Sequence, residues 1–580
     1  MGILSGFAQE ANFSYTDGNG VTWGGYIGYD YDSQKTEVSI NTTSSNSEEQ
    51  VVVPGEVSYD GKKYTVTSLG SVFSGNKIIE KVTIPKTVTN LNSTFEGCSA
   101  LSEVVNTNQL KSVYGAFSNC SRLKSIDLSS CEILSYSSFG GCSQLENVVL
   151  KACKRIEDSA FFNYNSSCQK LKTVGDISHC ESIGGDAFRG CSSLTYVDLS
   201  SCKTIGRSSF SGCSALESVG STKLLTNIPE AAFYGCSNLQ NIDLSNCTSI
   251  GSSAFYNCGI EKIDLSAIKT IGESAFSNCS GLTEVTGLKL IKSLPDGAFE
   301  ECHKLSSIDL SKIESLGLGC MSGTAVVSVN LSNLKKWGVR VFKDCKKLTS
   351  VTFPESIESI PTMTFWNCEK LCTIDLSHCS LIGSGAFYKC TSLTDVNLLN
   401  VKQIEYMTYT ENYHSYEGGS FMYCNNLTSV TLDSCQNLGN KAFYGCTSLK
   451  EVNLGSCQNL GAYAFECCTS LEKITLPETV TNLGGRAFSG CTSLSEINIP
   501  DTVTNIEESA FSGCSSLSYI RFSGGLTSIG QSAFSNCSAL TVLLLPDGLT
   551  TIEKNAFSDC SSLKDLFFPA SLTSIGSNVF

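Results

Sequence analysis

Charge is the first thing this chain is short of. Only 16% of its 580 residues are charged, against roughly 25% in ordinary soluble domains. Ser, Thr, Asn and Gly fill the polar positions instead, as on a repetitive β surface. A basic cluster is missing as well, and the net charge is −15, which argues against nucleic acid or anionic lipid as a main partner. No apolar run approaches the ~20 residues of a membrane helix, so no membrane insertion is expected within the chain. Catalytic signatures are absent too. The four histidines, His179, His303, His378 and His414, are accompanied by no H-E-x-x-H, P-loop or G-x-S-x-G. His179 and His378 sit in equivalent "SHC" stretches at strand exits, where a solvated turn accounts for them. "GLGCMSG" (Gly317–Gly323) has the wrong spacing for a dinucleotide loop, and "DYD" (Asp30–Asp32) lacks the Gly and Glu of a calcium loop. The reading is a non-enzyme with no cofactor, no metal and no catalytic residue.

What the chain does have is 41% hydrophobic residues and a period. An aromatic marker, usually in "AF", falls at Phe73, Phe95, Phe117, Phe139, Phe161, Phe188 and onward to Phe580, with Met321 standing in once. Most successive markers stand roughly 22 residues apart, a period of the solenoid class. Two intervals are clearly longer, Phe161 to Phe188 and Phe387 to Phe421. Each marks an insertion.

One repeat shows the physics. In "LEKITLPETVTNLGGRAFSGC" the apolar columns are Leu471, Ile474, Leu476, Val480, Leu483, Ala487, Phe488 and Cys491. Ile474 and Leu476 alternate with Lys473 and Thr475, the pattern of a strand with one buried face. Pro477 ends the strand because it cannot donate to a ladder. Val480 and Leu483 are expected to make the return path, and Phe488 to fill the coil interior. A unit this small cannot bury its apolar face alone, so coils must stack strand beside strand. At about 4.8 Å per strand the array would be on the order of 110 Å long. Two subtypes occur, "LPETV" (Leu476–Val480) and the one-residue-shorter "LSSC" (Leu199–Cys202), which accounts for most of the variation in coil length.

Of 31 cysteines, nineteen sit three residues after the marker, from Cys98 to Cys560, and Cys168 joins them once an insertion is allowed for. Eight more, Cys131, Cys153, Cys180, Cys202, Cys247, Cys379, Cys435 and Cys457, sit eight residues before it. Cys320, Cys372 and Cys467 fall outside both columns. The second column exchanges Cys for Val480, Val503, Leu526 or Leu549, which marks a buried apolar site. Cysteines of the first column would stack near the ~5.5 Å Cα separation of disulfides, yet a parallel ladder holds their Cβ vectors side by side. Mostly free thiols are expected, with disulfides the alternative. Zinc lacks its paired spacing, and a nucleophile repeated twenty times without a recurring His makes no catalytic sense.

Two features are candidates for binding. Asp127, Asp198, Asp243, Asp264, Asp309 and Asp375 occupy the outward slot of "I/V-D-L", and Asp176 the same slot in "GDI". Asp176 with Asp198, and Asp243 with Asp264, fall on adjacent coils about 5 Å apart. Such a stripe would contact a ligand or cation, or simply solvate an exposed strand. The second feature is the longer insertion, "VKQIEYMTYTENYHSYEGGSF" (Val401–Phe421), with Tyr406, Tyr409, Tyr413, His414 and Tyr416. Tyrosine-rich loops suit protein or sugar recognition; the alternative is a loop covering a local defect in the stack. The shorter insertion, around Phe162 and Tyr164, is a weaker case of the same kind.

With L-x-x-I-x-L, V-x-x-I/L-G and A-F-x-x-C-x-x-L recurring once per coil from Val66 to Phe580, the chain resembles the BspA-like leucine-rich repeat family, also called the Treponema pallidum type. "VVVPGEVSYDGKKYTVTSLGSVF" (Val51–Phe73) is similar to the opening segment of such proteins in gut and oral Bacteroidetes. The resemblance implies a mainly β, α/β-type right-handed leucine-rich-repeat solenoid with a parallel β-sheet, of about 23 coils. It also implies an extracytoplasmic place, secreted or at the cell surface, and adhesion to a protein or glycan. The expected organisation is a signal-peptide remnant at 1–8 ("ILSGFAQE", Ile3–Glu10, with an ordinary disordered start as the alternative), a β-rich cap at 9–68, and the solenoid at 69–580. The last repeat stops midway, so continuation past Phe580 is expected, and the chain is read as a monomer. The other readings are a polysaccharide-binding or polysaccharide-active β-solenoid, and a structural spacer for a further domain.

Overall fold

The structure, a computed structural model, describes residues 7–30, 35–45, 47–164, 166–406, 408–411, 414–522 and 524–580. The side chains of 7–11, 29, 30, 35, 166, 408–411 and 414–417 lie outside that description, as does most of the expected leader at 1–8. The fold is nearly all β and winds as a parallel β-solenoid of about 22 turns. Among the described residues the one helical element is a single 3₁₀ turn, Leu288–Leu290. The chain divides into two units, Met1–Leu290 and Ile291–Phe580.

The N-terminal unit opens with three antiparallel strands, β1 (Phe7–Thr16), β2 (Thr22–Asp30) and β3 (Lys35–Thr43). β3 then pairs in parallel with Ser68–Leu69, through Ser39 opposite Ser68 and Ile40 opposite Leu69. The meander thereby continues into a sheet that adds one strand per coil as far as Thr204–Ile205. Trp23 is fully buried, lies edge-on to Phe73 at 6.3 Å, and donates its indole N–H to Asp17 Oδ2 at 3.0 Å. That bond holds the Asp17 carboxyl below its usual range. Parallel pairing on the other sheet already starts at Gln50–Val52, which aligns with Lys81–Thr83.

In the C-terminal unit the coil around Phe488 follows the sequence pattern. Lys473–Thr475 is a strand with only Ile474 buried, and it pairs in register with Glu451–Asn453. The return path is more ordered than its sequence suggests: Asn482–Leu483 is a second parallel strand, paired with Asn459–Leu460. It belongs to a six-stranded sheet running from Ser359–Ile360 to Asn482–Leu483. Two residues are too few for a visible alternation, but Leu483 points inward and Asn482 outward. The third side is made of turns, and it too is bonded coil to coil. Arg486, Phe488 and Gly490 donate their backbone N–H groups to Glu508, Ala510 and Ser512 at 2.9, 2.8 and 2.7 Å. Every backbone group of a buried turn needs a partner, and stacking supplies it.

The marker aromatics form the core. Phe443 and Phe465 stack at 5.5 Å and 3°, Phe511 and Phe534 at 5.2 Å and 2°, and in the N-terminal unit Phe233 and Phe255 at 5.6 Å and 2°. The coil spacing sets these separations, and they suit the offset stacking that aromatic rings prefer to a face-to-face sandwich. Each buried Phe contributes roughly 1.5–3 kcal/mol by area.

Candidate functional site

The cysteine ladder is interior, and its chemistry is a hydrogen bond. Cys491 Sγ–H donates to the carbonyl of Phe465 at 3.2 Å, Cys514 to Phe488 at 3.2 Å, Cys446 to Phe421 at 3.2 Å and Cys120 to Phe95 at 3.0 Å. Each carbonyl also accepts a backbone N–H from its own coil, as Phe488 does from Cys491 at 3.1 Å. A small apolar side chain with a weak donor fits a site where the second lone pair of a buried carbonyl faces the next coil. In the second column six thiols turn to the carbonyl two residues on, as Cys202 does to Thr204 at 3.1 Å, while Cys247 and Cys379 turn to Leu225 and Ile357 of the preceding coil. None of the 31 cysteines is joined in a disulfide. Burial pushes thiols of the first column up, Cys98 to about 11 and Cys345 to about 12, the opposite of what a nucleophile needs; in the second column, hydrogen bonds with Cys153 and Cys435 hold Cys180 and Cys457 below their ordinary value.

The aspartate stripe lies outside, and its carboxylates are engaged at their own turns. Asp127, Asp176, Asp198, Asp243, Asp264, Asp309 and Asp375 each accept the backbone N–H of the serine two residues on, at 2.9 to 3.0 Å. Asn330 does the same with Ser332 at 3.0 Å. The slot therefore selects a side chain that closes the turn where the strand ends. Hydrogen bonds from the same serines, through backbone N–H and hydroxyl, hold Asp176, Asp243, Asp309 and Asp375 below the usual carboxylate range, the Ser311 hydroxyl leading at Asp309. Asp243 and Asp264 line one hollow of about 450 Å³ together with Gly220 and Ser245.

The longer insertion is a β-hairpin. Thr408–Glu411 and His414–Glu417 pair antiparallel, with Tyr409 opposite Tyr416 and Glu411 opposite His414. Tyr413, and the side chains of Tyr409, His414 and Tyr416, lie outside the described residues. Tyr406 is described and half-buried. The ladder closes beneath the hairpin: Gln403–Ile404 pairs directly with Asn437–Leu438. The shorter insertion is also a hairpin, Phe162–Asn163 with Ser166–Ser167, and the Arg189 guanidinium lies 5.1 Å from the Phe162 ring.

Beside the longer hairpin lies a cluster that sequence reasoning missed. Trp366 and Tyr388 stack at 3.8 Å; Tyr388 meets Tyr423 edge-on at 5.8 Å, and Tyr423 meets Tyr444 edge-on at 5.5 Å. All four rings are half-buried. They come from positions one or two residues after the marker, which point outward while the marker points in. Glycine makes room for them: a Cβ on Gly385 would stand 2.8 Å from the Trp366 ring, and one on Gly445 2.7 Å from the Tyr423 ring. Both glycines also have positive φ, 62° and 68°.

At the end of this row is a hollow of about 510 Å³, lined chiefly by Tyr406, Asn440, Lys441, Tyr444, Tyr463, Glu466 and Arg486. Lys441, Tyr463 and Arg486 hold the same slot, two residues before the marker, in three successive coils. Lys441 Nζ stands 5.6 Å and the Arg486 guanidinium 5.7 Å from the Tyr463 ring centre, within cation–π range. Glu466 lies among them with its carboxyl raised, because burial outweighs the attraction of Arg486 and Lys441. Burial and the neighbouring Tyr423 push the Tyr444 hydroxyl up to about 12, so it remains a donor. Aromatic faces, hydroxyls, an amide, two cations and a carboxylate thus line one hollow, a set able to stack on, hydrogen-bond to and pair charge with a ligand. The signal that would have found it is the outward slots read coil by coil, where Trp366, Tyr388, Tyr444 and Tyr463 replace the usual Ser, Gly or Asn.

A sequence profile for the BspA type leucine rich repeat region matches in six overlapping copies, at residues 67–175, 164–283, 248–372, 319–417, 414–540 and 458–580. No curated protein matches the chain. Among solved structures it is similar to a leucine-rich repeat protein from Bacteroides ovatus, at 20% identity over 96% of this chain and 90% of that one, TM-score 0.23. A leucine rich cell surface protein from Faecalibacterium prausnitzii matches at 21% identity over 89% and 96%, TM-score 0.23. A leucine-rich repeat protein from Eubacterium ventriosum matches at 19% over 70% and 100%, TM-score 0.30.

Proposed function

The chain belongs to the BspA-type leucine-rich repeat family, and from that premise we propose that it is a non-catalytic binding protein, secreted or held at the cell surface, that adheres to a protein or glycan. The contact surface in this reading is the aromatic row Trp366, Tyr388, Tyr423 and Tyr444 with the hollow at Tyr463, bordered by the 408–417 hairpin. One observation carries it: rings that a stable solenoid has no need to expose are gathered in neighbouring coils, on the side from which the largest insertion emerges. Aromatic rings give large rigid contact area at little entropic cost, and a preorganised scaffold limits what binding must spend on ordering. The same reading makes residues 9–68 a cap, in which Trp23 covers Phe73 and β3 occupies the edge that the first coil would otherwise expose.

The test is an array of extracellular proteins and glycans probed with the full chain, and then with a Tyr423→Ala/Tyr444→Ala double variant and a chain lacking the hairpin. Binding that falls at least tenfold in the double variant is expected. Equal binding by all three would put the contact elsewhere.

A further inference from the structure

The hollow at Tyr444 and Tyr463 has features that narrow the ligand. Its volume is about 510 Å³. Small-ligand sites run from roughly 300 to roughly 1,000 Å³, and the hollow is small for the broad face of a folded protein. Its lining alternates π faces (Tyr406, Tyr444, Tyr463) with hydrogen-bonding groups (Asn440, Glu466 and the tyrosine hydroxyls). A sugar ring has that same division, an apolar C–H face and a rim of hydroxyls. The charge is also out of character. Among the described lining residues two cations stand against one carboxylate, on a chain whose net charge is −15.

The backbone at three of these residues is left-handed, as it is in most coils at this slot. Lys441, Tyr463 and Arg486 have φ of 55°, 61° and 57°, in the left-handed region. Most other coils put a small or short polar residue in this slot, Ser509, Ser532, Asn555 and Asn578 among them, although Arg340 and Met363 also hold it at positive φ. Long and aromatic side chains are disfavoured there relative to Gly or Asn. Lys441, Tyr463 and Arg486 differ from Arg340 and Met363 in standing in three successive coils around one hollow.

We propose that this hollow binds an acidic sugar unit of a glycan, with the sugar's apolar face on the tyrosine rings and its carboxylate drawn to Arg486 and Lys441. The inference rests on the aromatic surface being the contact surface and names its ligand. The guanidinium fork matches a carboxylate with two parallel bonds. Glu466 opposes the ligand's charge, so it limits affinity while the amide and hydroxyls orient the ring.

The experiment is calorimetric titration of the full chain with sialyllactose, digalacturonate and lactose, at low and at physiological salt. Both acidic probes bind, lactose at least about tenfold more weakly, and the preference shrinks as salt rises. Arg486→Gln weakens the acidic probes about tenfold and erases the preference. Glu466→Gln strengthens them about threefold, a gain that a merely structural role for Glu466 would not produce. Lactose binding as tightly as the acidic probes overturns the acidic-sugar inference and leaves the aromatic surface standing. So does failure of all three sugars when a protein ligand from the array is lost in a Tyr444→Ala/Tyr463→Ala variant. Acidic-probe binding unchanged in that variant, with its circular dichroism intact, overturns the surface itself.

Discussion

Phe488 and Arg486 are two residues apart and obey opposite rules. Phe488 is fully buried, stacked between Phe465 and Phe511, and its column changes identity once, at Met321. Arg486 is exposed, holds a strained backbone conformation, and differs from its counterparts in the coils on either side. The interior must repeat because each coil is the packing surface of the next, so one wrong residue damages two interfaces. The outward slots carry no such obligation. What varies there is free to be function, and the variation includes the row Trp366, Tyr388 and Tyr444 as well as the stacked pair Tyr234 and Tyr256 of the N-terminal unit.

Alkaline pH should break the interior most severely. The buried thiols of the first column are pushed above their ordinary value of 9.0, Cys446 to about 12 and Cys491 and Cys514 also well above it, chiefly through burial. The folded state therefore keeps them neutral, while the unfolded chain ionises above 9.0. Stability is full below that pH and falls as pH rises toward the folded values. At one unit above the ordinary value each such cysteine favours the unfolded chain by about 1.4 kcal/mol, and the ladder multiplies the effect. Urea midpoints taken at neutral pH and at two alkaline values measure it; a flat profile would refute the neutral-thiol ladder.

A single interior substitution comes next. Phe443→Ala should cost about 3–5 kcal/mol, from lost transfer energy plus the cavity left between two rings. Cys491→Ala should cost less, about 1 kcal/mol, the worth of one weak hydrogen bond and a little packing. Denaturant curves would rank the two, and the reverse order would mean that the thiol bond matters more than the stack. Thiol titration of the unfolded chain under non-reducing conditions checks the same column: nearly all 31 should react, and fewer than about ten would mean the ladder is bridged.

The exterior should respond with the opposite sign. Tyr463→Gly or Arg486→Asn removes a side chain from a left-handed position and should leave stability unchanged or raise it by up to about 1 kcal/mol, while glycan or protein binding is lost. A thermal melt beside a binding assay separates these effects, and a large loss of stability would make the residues structural. The smallest change is at the aspartate turns. The Asp375 carboxylate is held below 3.8 by bonds to Ser377, so its contribution is present above that value and fades as pH falls through the lowered one. Asp375→Ala should cost a few tenths of a kcal/mol at neutral pH and nothing in strong acid.

Much of this was legible in order. The period, the inward Phe and the alternation at Lys473–Thr475 are short-range patterns that a strand's geometry enforces on the residues themselves. The strand at Asn482–Leu483 was not, because two residues cannot display a period and their partners lie a full coil away. The aspartates looked like an open stripe because their bonds to Ser129, Ser178 and the rest run to backbone N–H groups, which no side-chain pattern announces. The insertion drew attention to Tyr406 and its neighbours, while Trp366, Tyr388, Tyr423 and Tyr444 passed as ordinary variation within single repeats.

By itself the sequence determined that the chain is a solenoid with an aromatic and thiol core, because a coil of this size cannot bury its apolar face without its neighbours. Only the tertiary structure decided which outward residues act together. Lys441, Tyr463 and Arg486 are each a full coil apart along the chain, and Trp366 is further still. Stacking brings each within a few ångströms of the next, and gathers aromatic rings and two cations at one hollow on an otherwise acidic protein.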